Sequence, residues 1–269
     1  MAYPGRLRVQ RKMPHILITN DDGIHGEGLH ALAAALEGFA TVSMVAPNRE
    51  RSASAQSITL RQPIVCDQLG PREWMVDGTP ADAVIVALHK LLAEPPDLVI
   101  AGINPGSNLG ENVYYSGTVG AAREATIHHF PSFAISVVPR AKKCDYANAG
   151  RFARALAEII LAEGLPDQVL LNVNVPQPWR GRVRFVRQSK KITRNQLQEG
   201  ADPRGRRYFW LHEQRNDREI EANTDYAAIH DHAISITPLH LDHTHAQSLN
   251  HLSRWAKKLE SAAPAHLRR

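Results

Sequence analysis

The stretch His15-Ile16-Leu17-Ile18-Thr19-Asn20-Asp21-Asp22-Gly23 decides how the rest of the chain is read. Ile16, Leu17 and Ile18 are consecutive aliphatic residues without polar alternation, the pattern of a strand buried on both faces. That strand runs straight into two carboxylates and a glycine. The expectation is a sheet covered on both sides, with acidic residues just past the end of one strand.

The sequence beyond it supplies the other layers. Glu27–Leu36 carries apolar residues at helical spacing, and Thr41–Ala46 (TVSMVA) is a second buried strand ended by Pro47-Asn48. A polar, serine-rich loop follows, with shorter strands expected at Ser57–Leu60 and Trp74–Val76. Thr79-Pro80-Ala81-Asp82 opens a helix, with Thr79 as N-cap, proline in the first turn and Asp82 near the positive end of the dipole. Leu98–Ile103, Phe133–Val138 and Val169–Val175 read as strands, and Thr118–His128 and Arg151–Ala162 as helices. Alternating strands and helices with short connections predict an α/β fold whose mostly parallel sheet has helices on both faces. From about Pro176 the alternation stops. Residues 180–225 are long, charged and turn-rich and read as an extended arm or hairpin, Ile234–Ile236 returns as a strand, and Ala246–Leu259 reads as an amphipathic helix. The expected division is a disordered basic extension at 1–12, an α/β core at 13–178, an arm with its returning strand at 179–245, and a C-terminal helix and tail at 246–269.

Composition narrows the class. Of the 269 residues 43% are hydrophobic and 22% charged, and no apolar run is long enough for a membrane span, so the chain reads as a soluble globular protein. Cys66 and Cys144 are too few for a disulfide scaffold and lack metal-ligand spacing, which points to a reducing compartment, the cytoplasm. The net charge is +5, but Arg6, Arg8, Arg11 and Lys12 precede the first strand, and 5 − 4 leaves +1 for the remainder. Further basic residues cluster at 180–194 and at Arg204, Arg206 and Arg207 without the interleaved aromatic platforms of a single-strand binder. A nucleic-acid polymer is therefore not an expected partner, and neither is a membrane.

In open α/β sheets ligands bind beyond the carboxyl ends of the strands. Past the first strand stand Asp21 and Asp22, past the second Arg49, Arg51 and Ser52, and past the third Asn104, Gly106, Ser107 and Asn108. Two carboxylates, a hydroxyl and an amide form an all-oxygen set, which suits Mg²⁺, Mn²⁺ or Ca²⁺ better than zinc. Each cluster alone reads equally well as a turn or a helix cap, and only their coincidence on one sheet edge favours a cation site. Ser116-Gly117-Thr118 opens a helix with two hydroxyls and free N–H groups at its positive end, either a phosphate cradle or a plain cap. No Walker motif is present, and Gly23, Gly26 and Gly28 are wrongly spaced for a dinucleotide fingerprint. His240, His243 and His245 lack the glutamate and the uninterrupted helix of a zinc-protease motif and read as a surface cluster.

Taken together, these segments resemble one family, the SurE survival-protein nucleotidases. The resemblance is carried by Ile18-Thr19-Asn20-Asp21-Asp22-Gly23-Ile24, Ala46-Pro47-Asn48-Arg49-Glu50-Arg51-Ser52, Gly78-Thr79-Pro80-Ala81-Asp82 and Gly102-Ile103-Asn104-Pro105-Gly106-Ser107-Asn108. It continues through Tyr115-Ser116-Gly117-Thr118-Val119, Asn172-Val173-Asn174-Val175-Pro176, Arg187-Gln188-Ser189, Thr224-Asp225-Tyr226 and Ser235-Ile236-Thr237-Pro238-Leu239-His240, in the family's order across about residues 14–242. It implies a Rossmann-like core with an arm and tail exchanged between subunits, hence a homodimer or homotetramer. It further implies metal-dependent hydrolysis of nucleoside 5′- and 3′-monophosphates and, in some members, of polyphosphate. By motif, Asp21, Asp22, Ser52 and Asn104 would hold one divalent cation per subunit, Mg²⁺ or Mn²⁺, with Asp21 and Asp22 as the catalytic pair. Asn108, Ser116, Gly117 and Thr118 would contact the substrate. Asn48 stands where the family pattern leads us to expect Asp, and the tail beyond Asp242 is unusually rich in histidine.

Two rival readings remain at this level. A phosphatase that forms an aspartyl-phosphate on Asp21 would want a second Asp two residues on, where this chain has Gly23. A nucleotide-sensing module without turnover would bind AMP and release no phosphate.

Overall fold

The computed structural model describes residues 13–139, 144–190, 193–215 and 220–262. The basic extension at 1–12 and the end of the expected tail, 263–269, lie outside the described residues.

A nine-stranded sheet organises the chain. Its strands are β1 (His15–Thr19), β2 (Thr41–Pro47), β3 (Cys66–Gly70), β4 (Glu73–Val76), β5 (Leu98–Pro105), β6 (Ser132–Val138), β7 (Val169–Pro176), β8 (Val183–Phe185) and β11 (Ile234–His240). They lie in the order β3-β4-β2-β1-β5-β6-β7-β11-β8. β4, β2, β1, β5, β6 and β7 run parallel; at one side β3 pairs antiparallel to β4, and at the other β11 pairs antiparallel to β7 and parallel to β8. The parallel six follow the Rossmann order, outward one way from β1 and outward the other way from β5, so the strand order reverses between β1 and β5.

Two apolar layers explain why the strands lack polar alternation. Ile16 and Ile18 of β1 face one cluster, which holds Leu29, Leu32 and Leu36 of α1 (Glu27–Leu36) and Ala153, Leu156 and Ile160 of α4 (Ala147–Glu163). Leu17 faces the other, with Ala83 and Val84 of α2 (Pro80–Val86) and Val119, Ala122 and Ala125 of α3 (Gly117–Ile127). Each fully buried Leu, Ile or Val contributes about 1.5–3 kcal/mol relative to exposure, so either layer alone outweighs any single loop contact.

The N-terminus of α2 forms as expected. Thr79 Oγ1 accepts from Asp82 N at 3.1 Å while an Asp82 oxygen accepts from Thr79 N at 2.8 Å, a reciprocal cap of about 1 kcal/mol. The same two residues undo one expectation. Ser57–Leu60 is not a strand, because its polar groups are claimed by this cap: Thr59 N and Oγ1 donate to Asp82, and Thr79 Oγ1 donates to Ser57 O at 2.6 Å. The short strand instead lies at β3, on the sheet edge.

Past β7 the charged region contains more structure than its sequence suggests. β8 is only three residues long and is held by its register against Ile234–Ile236. α5 (Asp225–His230) is a six-residue helix capped by Thr224. Between them an antiparallel hairpin, β9 (Thr193–Ala201) with β10 (Arg207–Arg215), stands apart from the main sheet. Much of the basic cluster is paired within this region: Arg184 with Asp231, Arg187 and Lys190 with Glu221, Arg206 with Asp202, and Arg207 with Glu199. The expected C-terminal helix is broken into α6 (Ala246–Leu252), a 3₁₀ turn and α7 (Ala256–Ser261), none of which buries a residue.

Candidate functional site

The β1/β5 switch point is where a doubly wound sheet leaves a crevice, and both strands end there in polar residues. Asp21 and Asp22 follow β1, and Asn104 is the seventh residue of β5, where the pairing with β6 slips between Ala101 and Asn104. Gly102 makes that slip sterically feasible, since at φ 139° a Cβ would lie 2.3 Å from Ile135 O.

Asp21 is buried, and the first turn of α3 is aimed at it. Thr118 Oγ1 donates to Asp21 Oδ1 at 2.5 Å, and the Thr118 backbone N–H donates to the same carboxylate. Gly117 permits this approach: a Cβ there would fall 2.9 Å from Asp21 Oδ2 and 2.7 Å from Ser54 Oγ. Despite these donors and the helix dipole, burial pushes the Asp21 pKa above its ordinary value. Asp22 is in a worse position. Burial, then Asp21, then Glu50 push its carboxyl up to about 7, and its Oδ2 is buried without a hydrogen-bond partner among the described residues. Two adjacent carboxylates short of positive charge, one with an orphaned oxygen, fit a divalent cation.

The loop after β2 brings Ser52 to the same place. Arg51 N donates to Asp21 O at 2.7 Å, Ala55 N to Tyr115 O at 3.0 Å, and Arg51 Nη2 meets Asp77 Oδ1 at 2.9 Å. Ser52 Oγ donates to Glu50 Oε1 at 2.6 Å, which leaves its lone pairs for a cation. The Asn104 amide nitrogen is committed to Gly106 O at 2.7 Å, so the amide oxygen is its available ligand atom. Asn48 donates from Nδ2 to Asp77 Oδ1 at 3.2 Å, a bond that an ionised Asp at position 48 could not make. Among the described residues no group of three or more His, Cys, Asp and Glu side chains is arranged to hold a metal.

Asp21, Ser52, Asn104, Asn108 and Ser116 line one cleft of about 540 Å³, the size of a small-molecule site. Ala53, Asn112, Tyr115 and two hairpin residues, Asn195 and Leu211, complete its wall. Asp22 is half-buried beside Asp21, while Gly117 and Thr118 pack against Asp21, with Gly117 next to Ser116 of the wall.

Within the expected phosphate cradle Thr118 is fully buried, and its hydroxyl and N–H donate to Asp21, so in this arrangement it positions a carboxylate. Ser116 Oγ accepts from Val119 N at 3.0 Å, which leaves only its O–H to donate outward, beside the N–H of Gly117. Asn108 is likewise partly committed, with Nδ2 donating to Ser136 Oγ at 2.8 Å.

Sequence reasoning missed the residues that hold the glycine-rich loop. Asn108 N donates to Asn174 Oδ1 at 2.8 Å, and Asn108 O accepts from Asn172 and Asn174 of β7 at 2.8 and 3.0 Å. Asp225 Oδ2 accepts from Gly110 N at 2.7 Å, and its other oxygen accepts from Ser189 N and Tyr226 N. The available signal was two asparagines in the middle of an otherwise apolar buried strand, since buried amides require partners. Glu50, the third carboxylate near Asp22, was also overlooked.

Comparison with known proteins adds an independent line. Residues 16–197 match the family model described as Survival protein SurE. The chain is 45% identical over 242 residues to the 5′-nucleotidase SurE of Syntrophotalea carbinolica, covering 90% of this chain and 97% of that one. It is 44% identical over 246 residues to the 5′-nucleotidase SurE of Geobacter sulfurreducens, covering 90% and 93%. Among solved structures, the SurE protein of Aquifex aeolicus superposes with a TM-score of 0.82 at 33% identity, over 90% of this chain and all of that one.

Proposed function

The chain belongs to the SurE family, and from that premise we propose that it is a 5′-nucleotidase, a hydrolase that releases phosphate from nucleoside 5′-monophosphates. The observation that carries this reading is the Asp21–Asp22 pair, one buried and one half-buried, short of positive charge and set at the switch point of the sheet. Asp21, Asp22, Ser52 and Asn104 hold one divalent cation, Mg²⁺ or Mn²⁺. When bound, it supplies Lewis acidity to the phosphoryl group and to water. The chain's own residues do the positioning. Thr118 fixes the Asp21 carboxylate, and the Ser116 hydroxyl and Gly117 N–H hold phosphate oxygens at the positive end of α3. Tyr115 and Leu211 flank the space left for the nucleoside. Because the grip is on phosphate, a 3′-monophosphate is a substrate of the same class, and no strong protein nucleophile is needed.

Incubation of the purified protein with AMP and Mn²⁺ tests this. We expect free phosphate to accumulate, excess EDTA to abolish turnover, and Mg²⁺ or Mn²⁺ to restore it. Binding of AMP with no phosphate released would mark a sensing module, and full activity in EDTA would sink the mechanism.

The hairpin assembles the protein into a homodimer or homotetramer. A two-stranded ribbon is marginal by itself, and this one exposes Leu197, Tyr208, Phe209, Trp210 and Leu211, the last two by 64% and 61%. Light scattering on the wild type and on a Phe209→Asp, Trp210→Asp double variant reads this directly. The wild type should be oligomeric at micromolar concentration and the variant smaller. A monomeric wild type would refute the assignment. Among the described residues no helix is long and apolar enough to cross a membrane, and the free Cys66 and Cys144 suit a cytoplasmic location.

A further inference from the structure

Arg123 has no part in the chemistry above. It lies on α3, and among the described residues its Nε is buried without a hydrogen-bond partner and its guanidinium enters no ion pair. Burial lowers its pKa, the mark of a cation short of a counter-charge.

Arg123 lines a separate cavity of about 270 Å³ with Tyr114, Gln188, His240, Asp242 and His243. The 3₁₀ helix Gly110–Tyr114 divides this cavity from the catalytic cleft, turning Tyr114 toward one and Asn112 toward the other. His240 Nδ1 is taken up within its own turn, 2.9 Å from Asp242 N and 3.3 Å from Asp242 O, which leaves Nε2 as the ring nitrogen that can meet a ligand. His243 stands edge-on to Tyr114 with ring centroids 6.3 Å apart, forming a wall. The Gln188 amide nitrogen is spent on Gly110 O at 2.8 Å. Asp242 is the acid of the cavity, and its Oδ1 is occupied by Thr244 N at 2.8 Å. Its carboxyl is held below the usual range chiefly by Thr244 and to a smaller extent by His240 and His243, and among the described residues it makes no ion pair with Arg123.

We propose that this cavity binds a small oxyanion of the phosphate class, held by the Arg123 guanidinium and by His240 Nε2, which can exchange a hydrogen bond with a phosphate oxygen or hydroxyl. The planar fork of an arginine matches two phosphate oxygens at once. The volume falls below the range of pockets that enclose drug-sized ligands, which selects inorganic phosphate over a nucleotide.

The test uses the full chain in excess EDTA, where cation-dependent binding in the catalytic cleft is removed and the catalytic reading is not at stake. Inorganic phosphate is titrated in by calorimetry, with the phosphorus resonance followed in parallel. Saturable binding is expected in the wild type, weakened at least about tenfold in Arg123→Gln and several-fold in His240→Ala, whose side chain is exposed and whose loss spares the core. Asp22→Asn should bind phosphate as the wild type does. Absence of saturable binding, equal affinity in the Arg123 and His240 variants, loss of binding in Asp22→Asn, or AMP binding as tightly as phosphate would each overturn the assignment.

Discussion

Asp22→Asn is expected to lower kcat/KM for a nucleoside 5′-monophosphate by a factor on the order of 10² or more without loss of folded stability. The two halves of that statement have one cause. In the cation-free protein Asp22 is a carboxylate pressed between burial and the charges of Asp21 and Glu50, which push its pKa up to about 7. A carboxyl whose folded pKa lies above its unfolded value is destabilising when ionised. Its cost is absent below pH 4, grows as pH rises towards about 7, and is complete above that. Asparagine carries no such charge, so the metal-free variant should melt at the same temperature as the wild type or higher, with the largest gain near pH 8. A purely structural Asp22 would give the opposite pattern, a lower melting temperature with activity lost in proportion. Phosphate release assays and thermal melts in EDTA at pH 5 and pH 8 separate the two.

Gly28→Ala should be the most disruptive single methyl in the core. A Cβ on Gly28 would lie 1.9 Å from Ile103 O and 2.9 Å from Ile103 C, both backbone atoms of β5 that cannot rotate away. α1 would have to lift off the strand one residue before Asn104. Overpacking of this kind costs about 3 kcal/mol, which for a chain of this size is a melting temperature lower by about 10 °C. Gly70→Ala is the matched control, since its Cβ would meet nothing closer than Glu73 at 3.6 Å. Equal melting temperatures for the two variants would show that α1 yields easily, and that the close approach does not hold the site.

The fold was legible where one local pattern and one tertiary demand agreed. β1, β2, β5, β6 and β7 announce themselves because both faces are buried, and α2 because Thr79 and Asp82 cap it within four residues. Ser57–Leu60 was misread because its hydrogen bonds go to Asp82, some two dozen positions away, which no window of sequence displays. β8 and α5 are too short to carry a period and exist by virtue of β11 and Thr224. The site followed the same division. Strand ends pointed to Asp21, Asp22, Ser52 and Asn104, whereas the direction of each hydroxyl and amide did not follow from position. Thr118 turned inward to Asp21, and the anchors Asn172, Asn174 and Asp225 came from partners remote in the chain.

The bond from Gly110 N to Asp225 spans 115 residues, and this bears on the order in which the protein becomes competent during synthesis. Asp21 and Asp22 leave the ribosome among the first residues, yet the side chains that hold the Asn108 backbone, Asn172 and Asn174, emerge 64 and 66 residues after it. The loop's second fastening arrives with Asp225, which at about 5–20 residues per second is roughly 6–23 s after Gly110. A nascent chain thus carries its acidic residues early and its finished cleft late.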